Sequence, residues 1–250
     1  MASVKQRIKQ IKQPRGGYIK LKEFSVVDLS DGIDLKCDEN IHSSLVGMAV
    51  DYMTRYVIGS PKKDAFKISI AGSHIIGESD YAEKLIEGIL GLDNESISNA
   101  CKLVGYDVCC RSGINGYRPV KDINPDSDTI SNIRIMVNRS INFIKEYGPI
   151  TKDGFTFEGG YTKFVTNGDG DFLTENTLWD FKVSNKGPTN VHTLQLLMYY
   201  LLGIHSIHEE FKTIRNLGIF NPRLNKIYLL ETSKISQDII EQVSSEVIGY

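Results

Sequence analysis

Apolar positions along the chain switch between helical and strand spacing, and the switches mark its elements. From Asp128 or Thr129 to Tyr147, residues Ile130, Ile133, Val137, Ile141 and Ile144 recur every three or four positions, the pattern of a helix with one buried face and an Asp or Thr cap. Beyond it the pattern shortens, and Phe155–Val165, Gly170–Thr174 and Thr177–Val183 read as three strands. Pro188-Thr189-Asn190 then opens a helix to about Leu202, and Leu217–Asn221 with Lys226–Leu230 forms a strand pair around Pro222-Arg223. A weaker helix, 237–247, closes the chain.

Upstream, a short basic helix over 4–13 stops at Pro14-Arg15-Gly16-Gly17. Residues 24–36 are extended, with a turn at Ser30-Asp31-Gly32, and a helix runs from about Ile41 to Ile58. Two or three helices fill 64–112, with Tyr81–Leu90 and Ile97–Cys110 the clearest, before a turn-rich stretch over 113–127.

The strand period also fixes where chemistry falls. A hairpin centred on Glu175-Asn176 sets 174 against 177, 173 against 178 and 172 against 179, so that Asp171 lies across from Asp180. Lys182 shares a strand face with Asp180, and Phe181 points the other way. Two carboxylates opposed across a sheet repel. A hard divalent cation between them removes that cost, and Asp oxygens with open water positions suit Mg²⁺. Metal-assisted phosphodiester hydrolysis needs such a set, with the lysine stabilising charge that builds on phosphorus. Taken singly, Lys182 is an ordinary surface lysine and Tyr199 an ordinary core aromatic, since Leu194, Leu197, Met198 and Leu201 surround it.

Gly168-x-x-Asp171, Asp180-x-Lys182 and Gln195-x-x-x-Tyr199, in that order on strand, strand and helix, resemble the PD-(D/E)XK nuclease superfamily and its RecB-type exonuclease group. The segment Ser44–Gly59 resembles that group's upstream helix: Gly47 matches its glycine, Asp51 stands where a metal-binding histidine would, and Arg55 departs from its glutamate. The resemblance implies an α/β fold, a three-layer α/β/α restriction-endonuclease-like core of αβββαβ order around a small mixed sheet. It implies one nuclease-like domain over 1–250, with a basic arm (1–22), a helical insertion (61–127) and a catalytic core (128–231). It also implies a Mg²⁺- or Mn²⁺-dependent deoxyribonuclease, in recombination, repair, or phage and mobile-element defence. Asp171, Asp180, Lys182, Gln195 and Tyr199 would be catalytic, with Asp171, Asp180, the Phe181 carbonyl and Asp51 as metal ligands and Glu158 as a further carboxylate to weigh. The Arg55 departure and the acidic body favour a competing expectation, a nuclease-like fold that no longer cuts and serves as a nucleic-acid- or protein-binding regulatory subunit.

Charge sharpens this picture by position. The first 22 residues hold seven basic residues and no acid, leaving 22 basic against 31 acidic residues beyond them, a net of −9. A basic arm of this kind either tracks a phosphate backbone or is a solvated tail. Nucleic acid, DNA before RNA, is the expected partner, with self-association or a protein partner left open.

Other chemistry is excluded or weak. The 250 residues, 41% apolar and 24% charged, match a soluble domain with no membrane-spanning run or signal peptide, so a cytoplasmic setting is expected. Cys37, Cys101, Cys109 and Cys110 form no C-x-x-C pair, and no cysteine follows the Gln195 helix, so reduced, mostly buried thiols and no iron–sulfur cluster are expected. Asn167–Asp171 hints at a calcium loop but lacks the glycine and glutamate such a loop requires, and His205-x-x-His208 has no third ligand at helical spacing. Neither a G-x-x-x-x-G-K-S/T phosphate loop nor a G-x-S-x-G elbow is present.

Overall fold

The computed structural model describes residues 2–250. In chain order its elements are β1 (Ala2–Ser3), α1 (Val4–Gln10), β2 (Ser25–Asp28), α2 (Ser43–Val57), α3 (Lys62–Ala65), α4 (Lys67–Ile75), α5 (Ser79–Glu87), α6 (Asn94–Leu103), α7 (Asp107–Arg111) and α8 (Ser127–Tyr147). There follow β3 (Lys152–Phe155), β4 (Val165–Asn167), β5 (Gly170–Leu173), β6 (Thr177–Phe181), α9 (Asn190–Ile204), β7 (Asn216–Asn221), β8 (Lys226–Glu231) and α10 (Gln237–Gln242), which continues as a π-helical turn over Val243–Ile248. The chain divides into two compact units. One is built from the residues up to Asp31 with Ile144–Tyr250, the other from Gly32–Phe143.

The first unit holds a mixed six-stranded sheet in the order β2-β8-β7-β6-β5-β3, which makes the fold α/β. β6 and β7 are parallel, and α9 connects them. The other neighbours are antiparallel. A strand between two others, covered on both faces, must be apolar nearly throughout. Accordingly β6 is buried from Thr177 to Asp180, and Asp180 is its one charged residue. On one face Leu173, Leu178, Leu217, Ile219 and Leu230 form a core with Leu194, Leu197, Met198 and Leu201 of α9. The helix is buried almost all round because α1 packs on it as well.

On the other face Phe172 stacks on Trp179, and Tyr147 at the end of α8 meets the Trp179 ring edge-on at 5.9 Å. The indole N–H donates to Thr174 Oγ1 at 3.0 Å, so the ring cannot swing aside. A Cβ at Gly218, its partner across the parallel pair, would lie 2.3 Å from Trp179 Cε3. Gly218→Ala is therefore expected to destabilise the protein by about 1–3 kcal/mol, the usual cost of overpacking, as a lower urea midpoint at unchanged slope.

Two expectations change. The strand expected over Phe155–Val165 is not one strand. β3 ends at Phe155, and the chain turns at Gly159, whose φ is +85°. Gly160 comes so close to α9 that a Cβ there would sit 2.1 Å from the Leu202 carbonyl oxygen. A glycine pair that must curl against a helix end cannot continue a ladder. β4 then pairs in parallel with β1 in a separate two-stranded sheet. The basic arm is not a solvated tail either. Ser3 and Gln6 form a reciprocal capping box, Val4 and Ile8 are buried, and Tyr18, Ile19 and Phe24 join the core.

The second unit is helical, running from α2 through most of α8, and residues 61–127 fall within it. Its interior is organised around Asp107, which is fully buried and accepts hydrogen bonds from Tyr52 (2.6 Å), Ser69 (2.5 Å) and Arg111 (3.2 Å). A buried carboxylate is tolerable on those terms. Of the cysteines, Cys101 and Cys109 are buried, Cys37 and Cys110 are exposed, and all four are free. Among the described residues no helix is long and apolar enough to cross a membrane.

Candidate functional site

The hairpin between β5 and β6 has the register its sequence predicts: Phe172 pairs with Trp179, Leu173 with Leu178, and the Thr174 N–H donates to the Thr177 carbonyl. One step further on, the backbone ladder between these strands stops, and a side chain takes over. Asp171 Oδ2 accepts the Phe181 backbone N–H at 2.6 Å, while the Lys182 N–H turns to the Phe220 carbonyl on β7. This fixes the Asp171 carboxylate against β6. Behind it, a Cβ at Gly168 would lie 2.8 Å from Val4 Cγ2, and Tyr161 OH donates to the Gly168 carbonyl at 2.8 Å. The glycine of the Gly168-x-x-Asp171 unit is thus required by packing against α1.

Asp180 faces α9 and is 2% exposed. Its Oδ1 accepts from Lys182 Nζ at 2.5 Å, as expected of two residues on one strand face. Its Oδ2 is buried and has no hydrogen-bond partner. Burial pushes the carboxyl up to about 6; the Lys182 charge opposes this, and the Asp171 charge adds to it. Above that pH the protein holds a buried anion with one oxygen unsatisfied, an arrangement that costs free energy unless something binds there.

Gln195 and Tyr199 lie on the α9 face turned to the acids, both nearly fully buried. Gln195 Nε2 donates to the Tyr199 hydroxyl at 2.7 Å, leaving the phenol its own proton to donate. Burial raises the Tyr199 phenol well above its usual range, and the charges of Asp180, Asp171 and Asp169 add to this, so the hydroxyl stays protonated. Phe157 packs against its ring at 5.2 Å.

Two further expected ligands have protein partners of their own. Asp51 is on α2 in the helical unit, where its Oδ1 accepts from Arg55 Nε at 2.9 Å. Glu158 is not on a strand. It follows β3 into the Gly159 turn, and its exposed carboxylate is taken by the Thr156 hydroxyl and by His208 Nε2 at 3.1 Å. His205 is likewise engaged, with Nδ1 at 2.8 Å from the Leu201 carbonyl and its ring stacked on Tyr250.

The structure adds neighbours that composition did not single out. Asp169 is exposed two residues before Asp171, close enough for its charge to act on Tyr199. His192, in the first turn of α9, is held neutral by burial and by the Lys182 charge; its Nδ1 accepts the Thr189 N–H at 3.0 Å, which places its ring proton on Nε2. Its position three residues before Gln195, on the same helix face, was the available signal.

Among the described residues no group of three or more His, Cys, Asp and Glu side chains is placed to hold a metal ion. The set on offer is two carboxylates and the Phe181 carbonyl. That fits Mg²⁺, which is commonly held by one or two carboxylates and keeps its other positions for water and substrate phosphate. Comparison of the chain with protein-family models, curated proteins and solved structures gives no match.

Proposed function

We propose that the sheet unit is a Mg²⁺- or Mn²⁺-dependent phosphodiesterase that hydrolyses polynucleotides, DNA in the first instance, on a restriction-endonuclease-like core. The observation that carries this is the unpartnered Oδ2 of buried Asp180, next to a second carboxylate and an ammonium group. A purely structural ion pair has no need of the second acid, whose charge makes the first harder to ionise. Within the sheet unit, the order β3, β5, β6, α9, β7 supports the PD-(D/E)XK resemblance: three strands of the large sheet, helix, strand.

Asp171 and Asp180 would hold the cation, with the Phe181 carbonyl beside them. When bound, the ion supplies Lewis acidity toward a phosphoryl oxygen and a more acidic water. The protein's own groups do the rest. Lys182 places a positive charge, partly exposed, where negative charge grows on phosphorus. The Tyr199 hydroxyl, fixed by Gln195, keeps its own proton on the buried side of the acids. Leu178, Leu197 and Met198 keep water out from beneath. The setting in recombination, repair or defence against mobile elements follows from the resemblance alone.

Calorimetric titration tests the reading. The wild-type protein is expected to take up Mn²⁺ above pH 6, and Asp171→Ala to lose that uptake together with Mn²⁺-dependent cleavage of linear or single-stranded DNA. A wild-type protein that binds no Mn²⁺ would instead be a non-cutting scaffold, the alternative that the Asp51–Arg55 pair favours.

A further inference from the structure

The site just described lies beside the N-terminal helix. β1 pairs with β4 so that Ser3 is level with Asn167, one residue before Gly168 and four before Asp171. Val4 then rests on Gly168 itself. Val4 and Ile8 bury one stripe of α1 in the core with α9, and Arg7 ties the helix down by donating to the Val247 carbonyl (2.8 Å) and the Glu246 carbonyl (2.9 Å). The residues following each buried position, Lys5 and Lys9, are exposed. Four residues apart, they share one helix face, about 6 Å from each other along the axis, the scale of one nucleotide step in an extended strand.

We infer that α1 is a backbone rail of the site: Lys5 and Lys9 bind consecutive phosphates of a single polynucleotide strand and lead it to Asp171, Asp180 and Lys182. The inference rests on the phosphodiesterase reading and specifies how its substrate is held. Three observations support it beyond the placement. Neither lysine hydrogen-bonds or forms an ion pair with another described residue, whereas Lys63, Lys152, Lys212, Lys226 and Lys234 are each paired with an acid. The Lys5 charge reaches Asp180, where it favours the ionised carboxylate. The excess of cations is confined to this end of the chain, since the residues after 22 carry a net of −9. A polyanion drawn to an acidic body needs such a local counter-field to approach two carboxylates.

The test is fluorescence anisotropy of a short labelled single strand, once as DNA and once as RNA, titrated in EDTA at several salt concentrations. Lys5→Gln and Lys9→Gln are each expected to weaken binding roughly threefold. Each is also expected to reduce the slope of log K against log salt by about 0.7, the counterion share of one single-strand phosphate contact. Lys234→Gln, remote in sequence and paired with Glu231, should change neither quantity. Both replacements are at exposed positions of an anchored helix, and unchanged melting temperatures verify folding. Equal losses on DNA and RNA support a pure backbone rail, and losses on one of them support it for that polymer. Slopes equal to wild type in both variants overturn the rail. If wild type also cleaves DNA in that case, the phosphodiesterase reading survives alone. If wild type takes up no Mn²⁺ but the slopes fall as stated, the rail stands and the catalytic reading fails.

Discussion

Lys182→Ala is expected to lower metal-dependent DNA cleavage by a factor on the order of 10²–10³, the usual cost of losing one preorganised group that stabilises transition-state charge, while leaving Mn²⁺ uptake in place. Asp180→Ala is expected to abolish both. The two residues touch at 2.5 Å, so a merely structural ion pair would give the same result whichever partner was removed: loss of stability, with activity falling in step. The proposed roles differ. Asp180 is a ligand, 2% exposed and with one oxygen unsatisfied. Lys182 is a quarter exposed and reaches from the same strand face toward solvent, where a phosphate would arrive. Titration calorimetry, single-turnover cleavage and melting temperature on the same two variants separate these cases. Parallel loss of Mn²⁺ uptake in Lys182→Ala would remove the lysine from the chemistry and make it a support for Asp180. Cleavage that persists in both variants would remove the site.

The part of this site that was legible in the sequence is the part set by strand period. Because side chains alternate and the turn is centred on Glu175-Asn176, the facing of Phe172 with Trp179 followed from counting, and the placement of Asp171 with it. The long α8 was legible for the same reason, since its apolar residues keep one period throughout, and the strand pair around Pro222-Arg223 was legible as two short apolar runs either side of a turn. Where the chain leaves a regular element, counting fails. Phe155, Phe157 and Val165 suggest a strand, but the Gly159-Gly160 pair bends to fit the end of α9, and that fit is known only once α9 is in place. In the same way seven basic residues obscured the shorter signal in α1, the four-residue spacing of Val4 and Ile8 that docks it. Whether a carboxylate is buried depends on what covers it. Asp180 becomes a candidate ligand with an unmet oxygen because α9 lies over β6, and nothing local to Trp179-Asp180-Phe181 states that.

The buried acid also makes the protein pay for its site in stability, with a sign that can be worked out. The Asp180 carboxyl is raised from 3.8 in the unfolded chain to about 6 in the fold. Between those values the folded state holds the extra proton, so stability falls as pH rises through the window and the loss is complete above it. A rise of that size in a carboxyl group corresponds to roughly 2–3 kcal/mol. Asp180→Asn keeps the shape, can still accept from Lys182, and has no charge to bury. It is therefore expected to match the wild type near pH 4 and to be more stable by about 2 kcal/mol at pH 7.5, read as a higher urea midpoint. Mn²⁺ should narrow that gap by stabilising the wild type alone, and only above pH 6, because a ligand carboxylate must shed its proton before it binds. A structural salt bridge predicts the opposite order at pH 7.5, with Asp180→Asn the weaker protein and Mn²⁺ without effect on either. The pH dependence of one conservative substitution thus distinguishes an anion kept unsatisfied for a ligand from one kept for its lysine.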